Sequence, residues 1–410
     1  MARNFTTDEI PADWKYDLLD KFTTRCSGHT PSKSHPEYWN GGIKWISLSD
    51  SFRLDNGYVN ETDKEISPEG VKKSSAVVHP VGTVVLSRDA GIGKSGVMSE
   101  PMAVSQHFIA WKCDNKKNMH SWFLYNWLQL YKKEFERQAV GSTIKTIGLP
   151  YFKKLRIALP PFAEQEKIAQ ILSSWDKAVT TTKQQLANSL RQKKALMQQL
   201  LTGKKRFPEF SGDWSETKLD NLFTFKRGKG ISKGAVCNDG KYKCVLYGEL
   251  YTKYSEVIDT VLSRTSVEDG VASQAGDILI PSSTTTTGID LANATAILED
   301  GVLLGGDINI LRPIPPMNSV FMSHLLTHVK KREIASRAQG ITIIHLYGKD
   351  LKDLKVKIPK SELEQTKIAS VLSTANREIE ALQQNLNHLK QEKKSLMQQL
   401  LTGKRRVTLD

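Results

Sequence analysis

At 410 residues, 39% hydrophobic and 25% charged, the chain has the composition of an ordinary soluble protein and the length for two or three domains. No run approaches the roughly eighteen apolar residues that span a bilayer, and the opening stretch, which soon meets Asp8 and Glu9, lacks a signal-peptide core, so a cytoplasmic protein is expected. The net charge of +14 points toward nucleic acid, although its distribution along the chain says more than its size.

The first globular stretch opens on Asp13-Trp14, Leu19-Asp20 and Gly28. Thr30 to Trp39 is punctuated as a loop, and Ile43 to Leu48 reads as a strand. Val84 to Ser87 is a buried-type strand followed by Arg88 to Gly96, where Gly93-Lys94-Ser95 looks like the end of a phosphate-binding loop. That motif needs a glycine five residues before its Gly-Lys pair, and Arg88 stands there, so a flexible basic loop is expected in place of nucleotide hydrolysis. His120 to Val140 has the spacing of an amphipathic helix whose aromatic stripe (Trp122, Tyr125, Tyr131, Phe135) is core. Gly141-Ser142-Thr143-Ile144-Lys145, a strand from Leu155 to Leu159 and Pro160-Pro161 close this half.

From Gln165 to Leu201 apolar residues recur at Ile168, Leu172, Trp175, Val179, Leu186, Leu190, Met197 and Leu200, the seam of a helix about 55 Å long. The eight residues Met197 to Lys204 return unchanged as Met397 to Lys404, and Ile368 to Leu400 carries a cleaner coiled-coil seam. Each helix runs without Pro or Gly to Gly203 or Gly403, where a left-handed C-cap is expected. Lys193 and Lys393 interrupt the two seams. The chain is thus a duplication with a shift of 200 residues, because Asp213-Trp214, Leu219-Asp220 and Gly228 repeat the opening as well. Each helix is expected to pack on its repeat. An antiparallel pair would relate the repeats by an approximate two-fold axis, with the heads at opposite ends.

The second half follows the same layout, with a helix from Val320 to Ala338, Gly340-Ile341-Thr342, a strand from Leu354 to Ile358 and Pro359. Its middle differs: Tyr247 to Tyr251, a strand at Asp277 to Ile280 and the hydroxyl-rich run Pro281 to Gly288 show no alignment with Arg53 to Gly96, and read as the variable payload of a common frame. Cys26, Cys113, Cys237 and Cys244 are scattered, and the six residues between the last two fit no common zinc spacing, so reduced structural thiols are expected. Residues 163–206 carry nine Lys and Arg against three Asp and Glu, whereas the second globular half, 207–362, has nineteen of each. The heads are therefore expected to bind through local patches and polar contacts. The expected domains are 1–160, 207–360 and the two helical segments 161–206 and 361–410.

The letters contain no HisGluXXHis, GlyXSerXGly, dinucleotide fingerprint or AsnProProTyr-type methyltransferase motif, and the nine histidines are scattered and read as structural or exposed. The paired blocks Gln165 to Ser173 and Gln365 to Ser373, the repeated helix ends, the starts at Trp14 and Trp214, the Thr30 to Trp39 stretch and the Tyr247 to Tyr251 segment together resemble the specificity subunit of type I restriction-modification enzymes. The resemblance implies a mixed α/β fold with two target recognition domains separated by two long helices, reading a split DNA sequence around an unread spacer. It implies partners as well: two methyltransferase (M) subunits binding S-adenosylmethionine, and restriction/translocase (R) subunits using ATP and Mg. No cofactor and no active site would lie in this chain.

On physical grounds the DNA contacts expected in the first head are Lys33, Lys44, Arg88, Lys94 and Ser95, with Lys145 beyond its helix, all in loops. In the second head they are Arg227, Lys229, Lys233, Thr284, Thr285, Thr286, Arg337 and His345. Two rival readings are a coiled-coil adaptor with protein-binding heads, favoured by the neutral second head, and a repeat-containing hydrolase resting on the Arg88 to Gly96 loop.

Overall fold

The computed structural model describes residues 10–113, 118–142 and 145–409; Asp8, Glu9, Thr143 and Ile144 lie outside the described residues. The chain forms two compact units, Met1–Lys183 with Gln384–Asp410, and Gln184–Gln383. Each unit therefore holds one head, half of that head's own long helix and half of the other's. Among the described residues, no helix is long and apolar enough to cross a membrane.

In the first unit β1 (Lys15–Leu18) pairs antiparallel with β10 (Arg156–Leu159), joining the start of the head to its end. Between them a five-stranded sheet runs β2 (Thr24–Ser27), β9 (Phe108–Lys112), β6 (Val84–Ser87), β7 (Ser95–Met98), β4 (Tyr58–Val59), antiparallel except for the last pair. A smaller sheet has the order β5 (Lys64–Ile66), β3 (Trp39–Ile46), β8 (Ala103–Val104).

The second unit repeats the plan. β11 (Ser215–Lys218) pairs with β23 (Lys355–Ile358). The larger sheet runs β12 (Phe223–Arg227), β21 (Ile308–Pro313), β17 (Asp277–Pro281), β19 (Thr295–Ile297), β14 (Val257–Ile258), again with only the last pair parallel. The smaller sheet runs β15 (Ser263–Thr265), β13 (Tyr242–Val245), β20 (Leu303–Leu304), β16 (Val271–Ala272), and a ribbon of β18 (Ser283–Thr284) with β22 (Ile344–His345) is added. The two middles show no alignment in their letters, yet their five-stranded sheets coincide strand by strand and sense by sense, while the smaller sheets differ by one strand. In particular β6 corresponds to β17, so the Arg88 loop and the threonine run leave the same position of the same sheet.

Alternation with period two explains the layering. Val84 and Leu86 face a core with Trp111, Phe123, Leu124, Trp127 and Phe135, while Val85 faces the opposite core with Ile46, Met98 and Phe108. Ile278 and Ile280 in the second unit pack on Phe321, Met322 and Leu325, whereas Leu279 packs on Val245 and Ile310. The expected helix at His120 to Val140 is broken at Tyr131 into Ser121–Leu130 and Lys132–Gln138. Its counterpart is Ser319–His324, a π-helical turn Leu325–Val329, and Lys331–Ala335. The aromatic stripe is core: Tyr125 and Phe135 are buried, and Trp122 and Tyr131 partly so.

The long helices are Phe162–Leu200 and Glu362–Leu400, 39 residues each, about 58 Å by rise. In the first unit Ile168 and Leu172 of one share a core with Met397, Leu400 and Leu401 of the other, and Lys393 Nζ lies 2.5 Å from Asp176 Oδ1, so these segments run antiparallel. The second unit joins Leu200 and Leu201 to Ile368 and Leu372, with Ser189 Oγ donating to Glu378 Oε1 at 2.9 Å, in the same antiparallel sense. Leu190, expected in the seam, is 50% exposed. Ser189 takes the inward position because its hydroxyl reaches the neighbouring helix.

Gly203 (φ +68°) and Gly403 (φ +75°) are left-handed, and the amides of Lys205 and Arg405 bond back to the carbonyls of Gln199 and Gln399 at 3.1 Å, a Schellman-type stop. The next residue then closes each unit. Arg406 Nε and Nη2 grip Glu164 at 2.7 and 2.8 Å while Trp14 Nε1 donates to the same carboxylate at 3.2 Å. Arg206 grips Glu364 at 2.8 and 2.7 Å, with Trp214 Nε1 donating at 3.3 Å. Beside each glutamate a buried glutamine ties the helix to its head: Gln165 accepts from the His120 amide at 2.8 Å and donates to the Asn118 and Pro160 carbonyls at 2.9 Å. Gln365 accepts from the Asn318 amide and donates to the Pro359 carbonyl.

Gln165 is fully buried, so Gln165→Ala strands one amide and two carbonyls and is expected to cost about 2–3 kcal/mol. Urea denaturation measures it, with the exposed neighbour variant Glu166→Ala as a control that changes the midpoint little.

Candidate nucleic-acid interface

In the first head the candidate surface begins where the buried β6 ends. The loop that follows is a tight connection between antiparallel strands: the amides of Ser87 and Gly93 bond to the carbonyls of Lys94 and Ser87 at 2.8 and 3.0 Å, and Gly91 (φ +76°) and Gly93 (φ +78°) supply the left-handed turns. A phosphate-binding loop leads from a strand into a helix, whereas this one leads into β7. The loop is pinned, where a flexible one was expected.

Lys94 and Lys145 are brought together. With Lys132 and Glu136 they line a cleft of about 260 Å³. Lys94 Nζ donates to the Ser51 carbonyl at 3.0 Å, and Lys132 Nζ lies 2.6 Å from Asp55, which orients both ammonium groups, while Lys145 is exposed. Lys145 is placed by its neighbour Thr146, which pairs with Val140 and whose hydroxyl donates to Asp89. Asp89 also meets His107 Nδ1 at 2.5 Å and lies 3.7 Å from Arg88 Nε. Arg88 itself is only 20% exposed and sits at the edge of this hub.

Other expected residues fall elsewhere. Lys33 is exposed in a separate turn. Lys44 is on β3, where the hydrogen bond it donates to Glu100 raises its pKa and the Asn60 carbonyl accepts from it at 2.5 Å. Ser95 is buried on β7, its hydroxyl accepting from Gln129 Nε2 at 2.8 Å. Neither is in a loop, because Lys44 follows the pleat of its strand and Ser95 closes the inner end of the hairpin. Lys132, missed in the letters, lies on a helix whose apolar stripe dominated its reading.

In the second head the threonine run is partly committed. Thr284 is buried on β18, its hydroxyl 2.8 Å from that of Thr286. The hydroxyls of Thr286 and Thr287 donate to Asp290 at 2.6 and 2.8 Å and hold its carboxyl below the usual range. Thr285 is exposed. The ribbon sets Ser283 opposite His345 and Thr284 opposite Ile344, and the Gln339–His345 pair closes the intervening loop. Gly340 (φ +131°) makes that loop possible, since a Cβ there would lie 2.0 Å from the Ile343 carbonyl oxygen. Ile341 at its tip is 99% exposed and Ile343 48%.

His345 stacks on Tyr347 (centroids 5.8 Å apart, planes 8°), and Arg227 and Lys349 stand 5.9 and 5.7 Å from the same Tyr347 ring. Arg227 also pairs with Asp307 at 2.6 Å. The structure thus gathers Thr284, Thr285, His345 and Arg227 with Ile341, Ile343, Tyr347 and Lys349, four residues the sequence reading did not select. Their signal was the closing glycine and the apolar residues at a loop tip. Lys229, 3.0 Å from Asp269, and Lys233, exposed in a 3-10 turn, lie on the next loop. Arg337 donates to the Asp350 carbonyl at 2.7 Å and props the Tyr347 turn.

Each head therefore presents a loop from the same sheet position beside the segment that follows its helix, one surface basic and the other hydroxyl, aromatic and apolar. The family model of the type I restriction modification DNA specificity domain matches residues 11–192 and again 211–391. The type I restriction enzyme MjaVIII specificity subunit of Methanocaldococcus jannaschii is 25% identical over 97% of this chain and 94% of its own. The MjaX specificity subunit of the same organism, designated putative, is 25% identical over 97% and 95%. In fold, the type I restriction-modification S subunit from M. genitalium superimposes with a TM-score of 0.63 at 16% identity, covering 98% of this chain and 99% of that one. A structure bearing on complex assembly and conformational transition of the type I system gives 0.55 at 15% identity, covering 97% and 99%. With two specificity domains in tandem over nearly its whole length, the chain belongs to the family of type I restriction-modification specificity subunits.

Proposed function

We propose that each head reads one half of a bipartite duplex DNA sequence and that the length of the helical segments sets the unread spacer between the halves. The observation that carries this is the pair of identical sheets from which unlike loop sets emerge: the frame is duplicated and the reading surface is not. Lys94, Lys132 and Lys145 suit phosphates, which position a protein on DNA without reading it. Thr285, His345 and Arg227 suit base edges, and the exposed Ile341 suits a thymine methyl or a base step.

The chain acts without chemistry of its own in this reading. Methylation belongs to two partner methyltransferase (M) subunits that hold S-adenosylmethionine, and translocation and cleavage to restriction (R) subunits that use ATP and Mg, all in the cytoplasm where the DNA is. The strand-to-strand course of the Arg88 loop argues against the hydrolase reading, and family membership against a protein-binding adaptor.

Mapping methylated bases in a host carrying the complete system tests the core of this reading. Exchange of the first head for a relative's is expected to change one half of the methylated sequence and leave the other, and an altered helix length to change only the spacing. If both halves changed with one head, the assignment of one head per half would fail. For the contacts, Lys94→Ala with Lys145→Ala should weaken binding across all sequences and lower the slope of log K against log salt by about 2. Ile341→Ala should alter preference in a single half without changing that slope, as read by fluorescence anisotropy across a salt series.

A further inference from the structure

One cluster in the second unit has no part in DNA reading and no counterpart in the first. Glu256, just before β14, meets His324 and His328 on the helix beneath the sheet, and their ligand atoms all lie within 4.8 Å of one another. Glu256 is 5% exposed and His324 fully buried. Neither ring nitrogen of His324 has a hydrogen-bond partner among the described residues, and Nδ1 faces Glu256 Oε1 at 3.8 Å. His328 Nε2 is hydrogen-bonded to the same carboxylate oxygen. The two rings are stacked, 5.9 Å between centroids. An imidazole without a hydrogen bond in a protein interior is costly, and its nitrogen is turned toward a carboxylate and a second imidazole.

We propose that Glu256, His324 and His328 form a binding site for a borderline divalent transition metal of the zinc class. Two imidazoles and a carboxylate are a recurrent three-ligand set for that ion, with bonds of about 2.0–2.2 Å and water as the fourth ligand. Binding would draw the three ligand atoms, now within 4.8 Å of one another, closer by rotation of their side chains. Room for the water lies in an adjoining cavity of about 200 Å³, lined by Tyr254, Asn293, Thr327 and Lys331 beside Glu256 and His328. His328 is 27% exposed and gives the ion its entry. The carboxylate is already oriented from behind, since Asn376 Nδ2 donates to Oε2 at 3.1 Å. Lys193 Nζ, 3.3 Å from Oε1, is the cation that competes with the metal for that oxygen. The helices of the two units start at Ser121 and Ser319, with the preceding amides held by Gln165 and Gln365, so Asn126 and Leu130 stand where the two histidines do and one site per chain is expected.

The test uses the full, tag-free chain stripped with chelator and titrated with Co²⁺. Uptake of one ion per chain with the visible bands of a four-coordinate site, displaced by Zn²⁺ and accompanied by a rise in melting temperature, is the expected result. His328→Gln, partly exposed and compatible with the helix, should lose at least tenfold in affinity while keeping the circular dichroism of the parent. His324→Leu removes the buried imidazole and should lose binding equally. Lys193→Gln should bind more tightly, because the competing ammonium is gone. A parent chain that takes up no Co²⁺, or His328→Gln binding as well as the parent, overturns the site and leaves a buried ion network only.

Discussion

Each unit is closed by one guanidinium clamped on one buried carboxylate, and the two partners never come from the same repeat. Glu164 opens the first long helix and is held by Arg406, which follows the second; Glu364 opens the second and is held by Arg206, which follows the first. The pair is bidentate, the geometry in which arginine binds carboxylate most strongly, and the tryptophan donor completes the carboxylate's shell. The glycine caps exist to deliver that arginine. A helix ending one residue later would rotate the guanidinium by about 100° and leave the glutamate buried without its cation. Seam and clamp together explain why half of each helix belongs to the other repeat's unit.

Much of this frame was legible because helices write their packing locally. The seam positions, the left-handed glycines, the doubled Trp and Gln and the aromatic stripe are all local signals, and all but Leu190 of the seam are where the letters placed them. The identity of the two sheets was not legible. A buried strand demands only alternating apolar residues, so Val84 to Ser87 and Asp277 to Pro281 satisfy one position with different letters, and the loops between conserve neither length nor type. The candidate sites were legible in part for the same reason. Lys94 and Lys145 converge because each follows a signal in the chain, a strand end and a helix end. Lys44 and Ser95 lie on strands where loops were expected, because a charged or hydroxyl side chain near a turn gives no sign of a private partner, here Glu100 and Gln129. The Glu256 cluster required a contact between residues distant in sequence.

The duplication also shows where a frame and its heads stop being independent. In the first unit the seam lysine, Lys393, is answered within the helical pair by Asp176. The matching position in the second repeat is Asn376, which carries no charge, and Lys193 there is answered by Glu256, a residue of the head. A lysine at 16% exposure cannot be left without an anion cheaply. The first head can therefore be exchanged without removing the partner of the seam lysine in its unit, whereas the second head carries that partner within itself. A replacement for the second head must bring a carboxylate to the same place or the lysine must change with it. The modularity of the two recognition domains, equal in topology, is unequal in electrostatics.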